Sequence, residues 1–294
     1  MLGEALTAIV TPFKTDGTID FERFSELAVH LVENGSDGIV VAGTTGESPT
    51  LTDDERLELF RVAVDTLNGR ATVVAGTGTY STAHSVHLTR KAHELGVDGL
   101  LVVTPYYNKP PARGIVEHFR AIADVSDRPI VVYNIPGRVG VNIQPETIAE
   151  LAEIPSVRAV KQANDDLVQA RRIVGETDLV LYAGDDFLTF PFLELGGIGV
   201  ISVLTHVAGP QIKRMIRSFH EGDVDAARQF HEELQPAYEL LQVQVNPIAI
   251  KAALNLLGHG VGGLRLPLVE ANEGEVTLIR DCLERLGVLS GAPV

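Results

Sequence analysis

The sequence predicts a (β/α)₈ TIM barrel followed by a C-terminal helical extension. The main observation is a repeat, because a short apolar run, a loop and a helical pattern follow one another eight times along the chain. The apolar runs are nearly continuous Val, Ile, Leu and Ala, which is typical of strands buried on both faces of a parallel sheet. Eight such units in 294 residues favour a closed barrel over an open doubly wound sheet.

The repeats place strands and helices in alternation. The predicted strands are 5–11, 38–42, 72–75, 99–103, 130–133, 158–161, 179–182 and 199–204. The predicted barrel helices lie near 21–34, 53–67, 81–94, 113–125, 145–152, 165–174, 186–195 and 209–220. Two helix starts carry capping signals, because residues 52–55 read Thr-Asp-Asp-Glu, a capping-box pattern, and Pro145 suits a first helical turn.

Three further helical stretches follow the eighth repeat, at 223–242, 246–257 and 274–287. No low-complexity linker separates them from the repeats. We therefore expect residues 1–222 to form the catalytic barrel and residues 223–294 to form the helical extension.

The composition excludes several classes of partner. A net charge of −15 and a pI near 5.0 argue against binding to nucleic acid or to an anionic membrane surface. The sequence has no apolar run of about 18 residues, the length that a membrane-spanning helix needs. The first residues lack the basic and apolar pattern of an export signal, and the single cysteine, Cys282, fits a reducing compartment. We therefore expect a cytoplasmic protein.

Lys161 interrupts the apolar run of the sixth strand. Because only six of the 24 basic residues are lysines, a lysine in this run is not explained by composition. Burying an ammonium costs several kcal/mol unless it is paired or neutralised. A neutral amine in a dry pocket is a nucleophile that forms a Schiff base with a carbonyl substrate. Taken alone, Lys161 is explained more simply as a strand-end lysine that reaches water or pairs with a carboxylate.

Other polar residues follow the predicted strands at the end where barrel enzymes carry their catalytic groups. Thr44 and Thr45, flanked by glycines after strand 2, could hold a small carboxylate or cap a helix. Tyr133, at the end of strand 5, could transfer protons or pack with a satisfied hydroxyl. Arg138, on the turn that follows, could bind a second carboxylate or remain solvated.

The sequence predicts neither a metal ion nor a cofactor. Asp185 and Asp186 after strand 7 could hold a divalent cation, but Glu47 is the only other acidic residue at a strand end, and capping of the following helix is the simpler role. His84 and His87 have no third ligand at a strand end. A glycine-rich dinucleotide fingerprint and a phosphate cradle are both missing from the sequence.

Taken together, these motifs resemble the pyruvate-dependent lyase family that includes dihydrodipicolinate synthase and N-acetylneuraminate lyase. The resemblance covers nearly the whole chain, in the ordered segments 7–13, 43–47, 104–110, 133–140, 161, 184–186, 199–203, 246–251 and 265–268. The family fold implied by the resemblance is a barrel with C-terminal helices.

The resemblance also implies roles for individual residues. Lys161 matches the lysine that forms a Schiff base with pyruvate, and Thr45 matches a threonine that helps to hold the pyruvate carboxylate. Thr44, Tyr133 and Tyr107 match a proton relay, in which Tyr107 reaches the site of a neighbouring subunit. The implied assembly is a homotetramer built from two tight dimers.

Arg138 decides between branches of the family, and Gly184 and Ile201 match positions that bind substrate. The synthase branch carries Gly-Arg after an Asn-x-Pro turn, and residues 134–138 read Asn-Ile-Pro-Gly-Arg. The resemblance therefore implies condensation of pyruvate with L-aspartate 4-semialdehyde, on the route to diaminopimelate and lysine. A sister aldolase acting on N-acetylneuraminate or a 2-keto-3-deoxy sugar acid is the alternative, and a non-catalytic acid-binding barrel or a metal-dependent aldolase are more distant ones.

One departure from the family bears on regulation. Lysine-inhibited members carry an Asn, a Glu and a His at the positions of Tyr80, His84 and Arg56, and none of the three is retained here. We therefore expect weak or absent feedback by lysine.

Overall fold

The computed structural model describes residues 2–289, and its eight strands close into one parallel barrel. Each strand pairs with the next one along the chain, and the first pairs with the eighth, which completes the closure. The strands are β1 Ala5–Ala8, β2 Gly38–Val41, β3 Thr72–Gly76, β4 Gly99–Val103, β5 Ile130–Asn134, β6 Val157–Gln162, β7 Val180–Ala183 and β8 Gly199–Ser202. The predicted TIM barrel is thereby confirmed.

Helices lie between successive strands and continue after the last one. They are α1 Phe21–Glu33, α2 Asp53–Leu67, α3 Thr82–Glu94, α4 Ala112–Ala123, α5 Pro136–Val139, α6 Pro145–Ala152, α7 Leu167–Glu176, α8 Thr189–Glu194, α9 Thr205–His220, α10 Val224–Glu233, α11 Gln235–Val243, α12 Ile248–Leu256 and α13 Glu273–Arg285. The capping box predicted at residues 52–55 is present at the start of α2, and Pro145 lies in the first turn of α6.

The observed boundaries differ from the predicted ones at the end of β8 and within the predicted helix 223–242. β8 ends at Ser202 because the N–H groups of Val203 and Leu204 donate to the Asp186 carboxylate. The predicted helix 223–242 is two helices, α10 and α11, and the second carries a proline in its first turn. Proline is tolerated there because the first helical N–H groups have no partner within the helix, whereas it would break a helix interior.

Alternation along the strands divides the core into two layers. Val160 packs between the barrel and its helices, whereas Ala159 and Ala163 belong to a buried cluster of the other strand face that also contains Tyr133 and Ile201. Successive strand residues point to opposite faces of a sheet. Lys161 therefore shares the inner face of the barrel with Ala159 and Ala163.

The C-terminal helices pack on the barrel and on each other. α10 lies along α9, and α13 packs against both α11 and α12. The predicted boundary at residue 222 falls in the turn between α9 and α10, and the division into a barrel and an extension stays a prediction. No helix among residues 2–289 is long and apolar enough to cross a membrane.

Candidate active site

A cavity of about 290 Å³ opens at the carboxyl ends of the barrel strands. Its wall contains six of the eight residues predicted to form the site: Thr44, Thr45, Tyr133, Arg138, Lys161 and Gly184. A larger and more open groove lies among loops that precede β5 and β6, at the opposite end of the barrel, and contains none of them. The convergence of six chemically assigned residues identifies the smaller cavity as the candidate active site.

Lys161 lies on β6, with 4% of its surface exposed. Its Nζ is 4.4 Å from the centroid of the Tyr133 ring, because β5 and β6 pair these two residues in register. No carboxylate among residues 2–289 lies within ion-pairing distance of this Nζ. A buried amine without an ion pair is in surroundings that favour Schiff-base chemistry, and the Tyr133 phenol lies beside it.

Thr45 and Arg138 are connected through one residue of the turn between α11 and α12. The Thr45 hydroxyl accepts a hydrogen bond from Asn246 Nδ2 at 3.0 Å, and Arg138 Nη2 donates to the Asn246 carbonyl at 3.1 Å. Thr45 is buried, whereas Arg138 is exposed at the mouth. Sequence reasoning quoted the segment 246–251 only as a family motif and missed this connection, which no local pattern reveals.

Glu47, two residues beyond Thr45, forms a buried ion pair with Lys251 of α12. The Nζ to Oε1 distance is 2.9 Å, and the two side chains are 1% and 0% exposed. Lys251 also donates to the Thr11 carbonyl, and Glu47 Oε2 accepts from the Arg265 N–H. Burial lowers the pKa of Lys251, and the Glu47 carboxylate opposes that shift. The pair thus fastens the threonine loop to the C-terminal helices.

Asp186 corrects the predicted role of the carboxylate pair after β7. Its side chain accepts hydrogen bonds from the Ser202 hydroxyl and from the N–H groups of Val203 and Leu204. No side chain caps the helical turns that follow β7. The predicted helix-capping role is therefore wrong, and Asp186 instead joins the ends of β7 and β8, with burial raising the pKa of its carboxyl.

Asp185 has different surroundings from its neighbour. It follows Gly184 at the end of β7 and lines the cavity with Lys161 and Arg138. Burial raises the pKa of the Asp185 carboxyl, and the positive charges of Lys161 and Arg138 act in the opposite direction. Asp185 thus contributes a partly buried negative charge to the site.

Two predicted site residues do not reach the cavity within one chain. Tyr107 is 91% exposed, and its φ of 69° places it in the left-handed region. Ile201 lies on β8 and is fully buried in the inner core rather than in the cavity wall. Neither residue therefore lines the cavity of its own chain, and their predicted roles stay predictions.

The positions linked to lysine feedback contact other parts of the same chain. Arg56 is buried and donates to the Ser48 carbonyl at 2.5 Å. His84 Nε2 lies 2.8 Å from an Asp53 oxygen, while Tyr80 is exposed.

Within residues 2–289, no three His, Cys, Asp or Glu side chains are grouped so that they could hold a metal ion.

Comparison with known proteins gives the family. The chain matches the model of the Dihydrodipicolinate synthetase family over residues 1–286, and it belongs to that family. A 4-hydroxy-tetrahydrodipicolinate synthase from Heliobacterium modesticaldum is 50% identical over 288 residues, covering 97% of this chain and 96% of the relative.

Solved structures agree with this assignment. The crystal structure of DHDPS from Cyanidioschyzon merolae with lysine bound has a TM-score of 0.96 at 47% identity, covering 98% of this chain and 99% of that one. A structure described as the first monomeric dihydrodipicolinate synthase variant has a TM-score of 0.95 at 43% identity, covering 97% of each chain.

The Glu47–Lys251 pair generates a prediction about stability. Lys251→Met leaves a buried carboxylate without its partner, so we expect the free energy of unfolding to fall by about 3–5 kcal/mol. Urea unfolding followed by circular dichroism measures it. Lys91→Met is the matched control, because it removes an exposed ion pair with Glu94 and should cost less than about 1 kcal/mol. Equal stability of Lys251→Met and the unchanged protein would contradict the role given to the pair.

Proposed function

We propose that the chain catalyses the 4-hydroxy-tetrahydrodipicolinate synthase reaction, in which pyruvate condenses with L-aspartate 4-semialdehyde on the route to diaminopimelate and lysine. The observation that carries the proposal is the buried Lys161 amine beside the Tyr133 ring, in a cavity that also holds Arg138. The names of the most similar relatives support the same reaction. We also propose that the protein acts in the cytoplasm.

The first half of the reaction uses pyruvate. Lys161 Nζ attacks the pyruvate keto carbon, and loss of water gives a protonated Schiff base. The Thr45 hydroxyl lies close enough to the cavity to bind the pyruvate carboxylate, with its orientation set by Asn246. Loss of a proton from the pyruvate methyl group then converts the Schiff base into an enamine.

The second half uses the aldehyde. The enamine carbon attacks the aldehyde carbon, and the new alkoxide takes a proton. The amine of the aldehyde substrate can then attack the imine carbon, which closes a six-membered ring and releases Lys161. Tyr133 and Thr44, with Tyr107 from a neighbouring subunit, supply and accept the protons.

We propose Arg138 as the group that binds the carboxylate of the aldehyde substrate. Its guanidinium lies at the cavity mouth and is oriented by the Asn246 carbonyl. A guanidinium offers a planar fork that matches a carboxylate. Gly184 and Ile201 are proposed to support substrate binding, Gly184 at the wall and Ile201 from the core beneath it.

The proposed assembly is a homotetramer of two tight dimers. The exposure of Tyr107 supports it, since a tyrosine in the relay would need to be covered by a second subunit. One similar solved chain is described as a monomeric dihydrodipicolinate synthase variant. No cofactor is proposed.

Schiff-base formation is tested by chemical trapping. Borohydride reduction in the presence of pyruvate should add a pyruvate-derived mass to the peptide that contains Lys161, because the imine becomes a stable secondary amine. Intact mass and peptide mapping measure the addition. Lys161→Ala should remain folded, form no adduct and lose most activity. Labelling at another lysine would overturn the mechanism.

Arg138→Ala tests the choice of aldehyde. Loss of a charge-assisted contact should lower kcat/KM for L-aspartate 4-semialdehyde about 10- to 100-fold, while trapping of pyruvate on Lys161 persists. Steady-state kinetics with the aldehyde varied measures the change. Turnover of N-acetylneuraminate or 2-keto-3-deoxygluconate instead, with unchanged kinetics for the variant, would favour the sister aldolases.

Lysine is expected to inhibit the chain weakly or not at all. Tyr80, His84 and Arg56 replace the groups that grip lysine in inhibited members, and the latter two already contact other residues of the chain. Initial rates measured against lysine concentration should give an inhibition constant in the millimolar range or higher. The C. merolae relative, whose crystal structure holds bound lysine, is assayed beside it for comparison. A submillimolar constant would contradict the expectation.

A further inference from the structure

We infer that Asn134 is a positioning residue for Arg138, and that it holds the loop carrying this arginine in place at the mouth of the cavity. Asn134 ends β5, is fully buried and is not part of the cavity wall. The inference rests on the function proposed above and extends it to a residue outside the cavity.

Arg138 has little support from its own surroundings. It lies on α5, a helix of only four residues, and a helix this short is not stable by itself. Within residues 2–289, its exposed side chain forms a single hydrogen bond, to the Asn246 carbonyl. The position of the guanidinium therefore depends on how the ends of the loop 134–143 are held.

The side chain of Asn134 holds the two ends of this loop together. Its Oδ1 accepts a hydrogen bond from the Ile143 N–H at 3.1 Å, and its Nδ2 donates to Asn142 Oδ1 at 2.8 Å. Both bonds join the first residue of the loop to its last two residues. The chain between them, with Arg138 near its middle, is closed by these contacts.

A chain of buried amides fastens the closed loop to its neighbours. Asn134 Nδ2 also donates to Gln162 Oε1 at 3.1 Å. Gln162 Nε2 donates to Gln169 Oε1 at 2.7 Å, and Gln169 Nε2 donates to the Ile143 carbonyl at 2.6 Å. Gln162 follows Lys161 on β6 and pairs with Asn134 in register. The loop is thus tied to the strand that carries the reactive lysine, and to α7.

Backbone groups determine the direction of these hydrogen bonds. The Ile143 N–H can only donate and the Ile143 carbonyl can only accept, so Asn134 must present its oxygen and Gln169 its nitrogen. Gln162 must then accept from one amide and donate to the other. Because Asn134, Gln162 and Gln169 are all buried, removal of one member leaves partners that water does not readily satisfy. Closure of the Arg138 loop therefore depends on the amide of Asn134.

A double-mutant cycle tests whether Asn134 acts through Arg138. With Arg138 present, Asn134→Ala should lower kcat/KM for L-aspartate 4-semialdehyde about 5- to 10-fold, because the guanidinium is displaced from the carboxylate. In Arg138→Ala the same substitution should lower it less than about 2-fold, since the group that it positions is already missing. Pyruvate trapping on Lys161 should persist in all variants, because the register of β5 and β6 holds that lysine beside Tyr133.

Asn255→Ala is the matched control. The Asn255 side chain also closes a loop, since it accepts from the Val261 N–H and donates to the Gly262 carbonyl, but that loop contributes nothing to the cavity wall. Its kcat/KM should equal that of the unchanged protein. If Asn134→Ala forms no pyruvate adduct, Asn142→Ala replaces it in the cycle, because it removes the same loop contact from the half-buried end.

Amide hydrogen exchange gives a readout that does not depend on activity. Residues 135–143 should exchange faster in Asn134→Ala than in the unchanged protein, and unchanged exchange would contradict the loop closure. Equal losses of kcat/KM with and without Arg138, or no loss when Arg138 is present, would overturn the positioning role alone. Absence of turnover and of a pyruvate adduct in the unchanged protein would instead overturn the proposed function.

Discussion

The site depends on the buried ion pair between Glu47 and Lys251. Neither charge reaches water, so each is tolerable only while the other is in place. The two residues lie 204 positions apart, one beyond the threonine loop of β2 and the other on α12. Forming the pair therefore requires both the barrel and the C-terminal helices to be folded. The position of Thr45 follows from that requirement, because its loop is fastened at Glu47.

The parallel direction of the strands explains why a few contacts are enough to bring the other site residues together. Since every strand of the barrel runs in the same direction, residues that follow different strands meet at one rim. Tyr133 and Lys161 are paired directly by the register of β5 and β6. Gly184 lets β7 approach β6, and Asp186 then joins β7 to β8. The strands that carry Lys161 and Tyr133 are rigid, which preorganises the amine and the phenol.

The sequence predicted the repeating strands and helices well, but it did not predict hydrogen bonds between individual residues. Eight apolar runs identified the barrel, and Lys161 stood out because it interrupts such a run, although taken alone it was explained more simply as a structural lysine at a strand end. The hydrogen bonds of Asp186 and Asn246 join residues far apart in sequence, and no local pattern encodes them. A proline split the helix predicted over 223–242, although the periodicity continued across it. Tyr107 gained its role only from family resemblance, because one chain leaves it exposed.

The C-terminal helices are part of the catalytic cavity as well as a cover for the barrel. Asn246 holds the Thr45 hydroxyl from one side and the Arg138 guanidinium from the other, so one residue sets the spacing between the two carboxylate-binding groups. Tyr238 and Gln242 complete the wall from α11. A barrel without these helices would keep Lys161 and Tyr133 but would lose the partners of Thr45, Arg138 and Glu47. Substrate orientation and Schiff-base chemistry therefore come from different parts of the fold, and the contacts of Asn246 and Lys251 couple them.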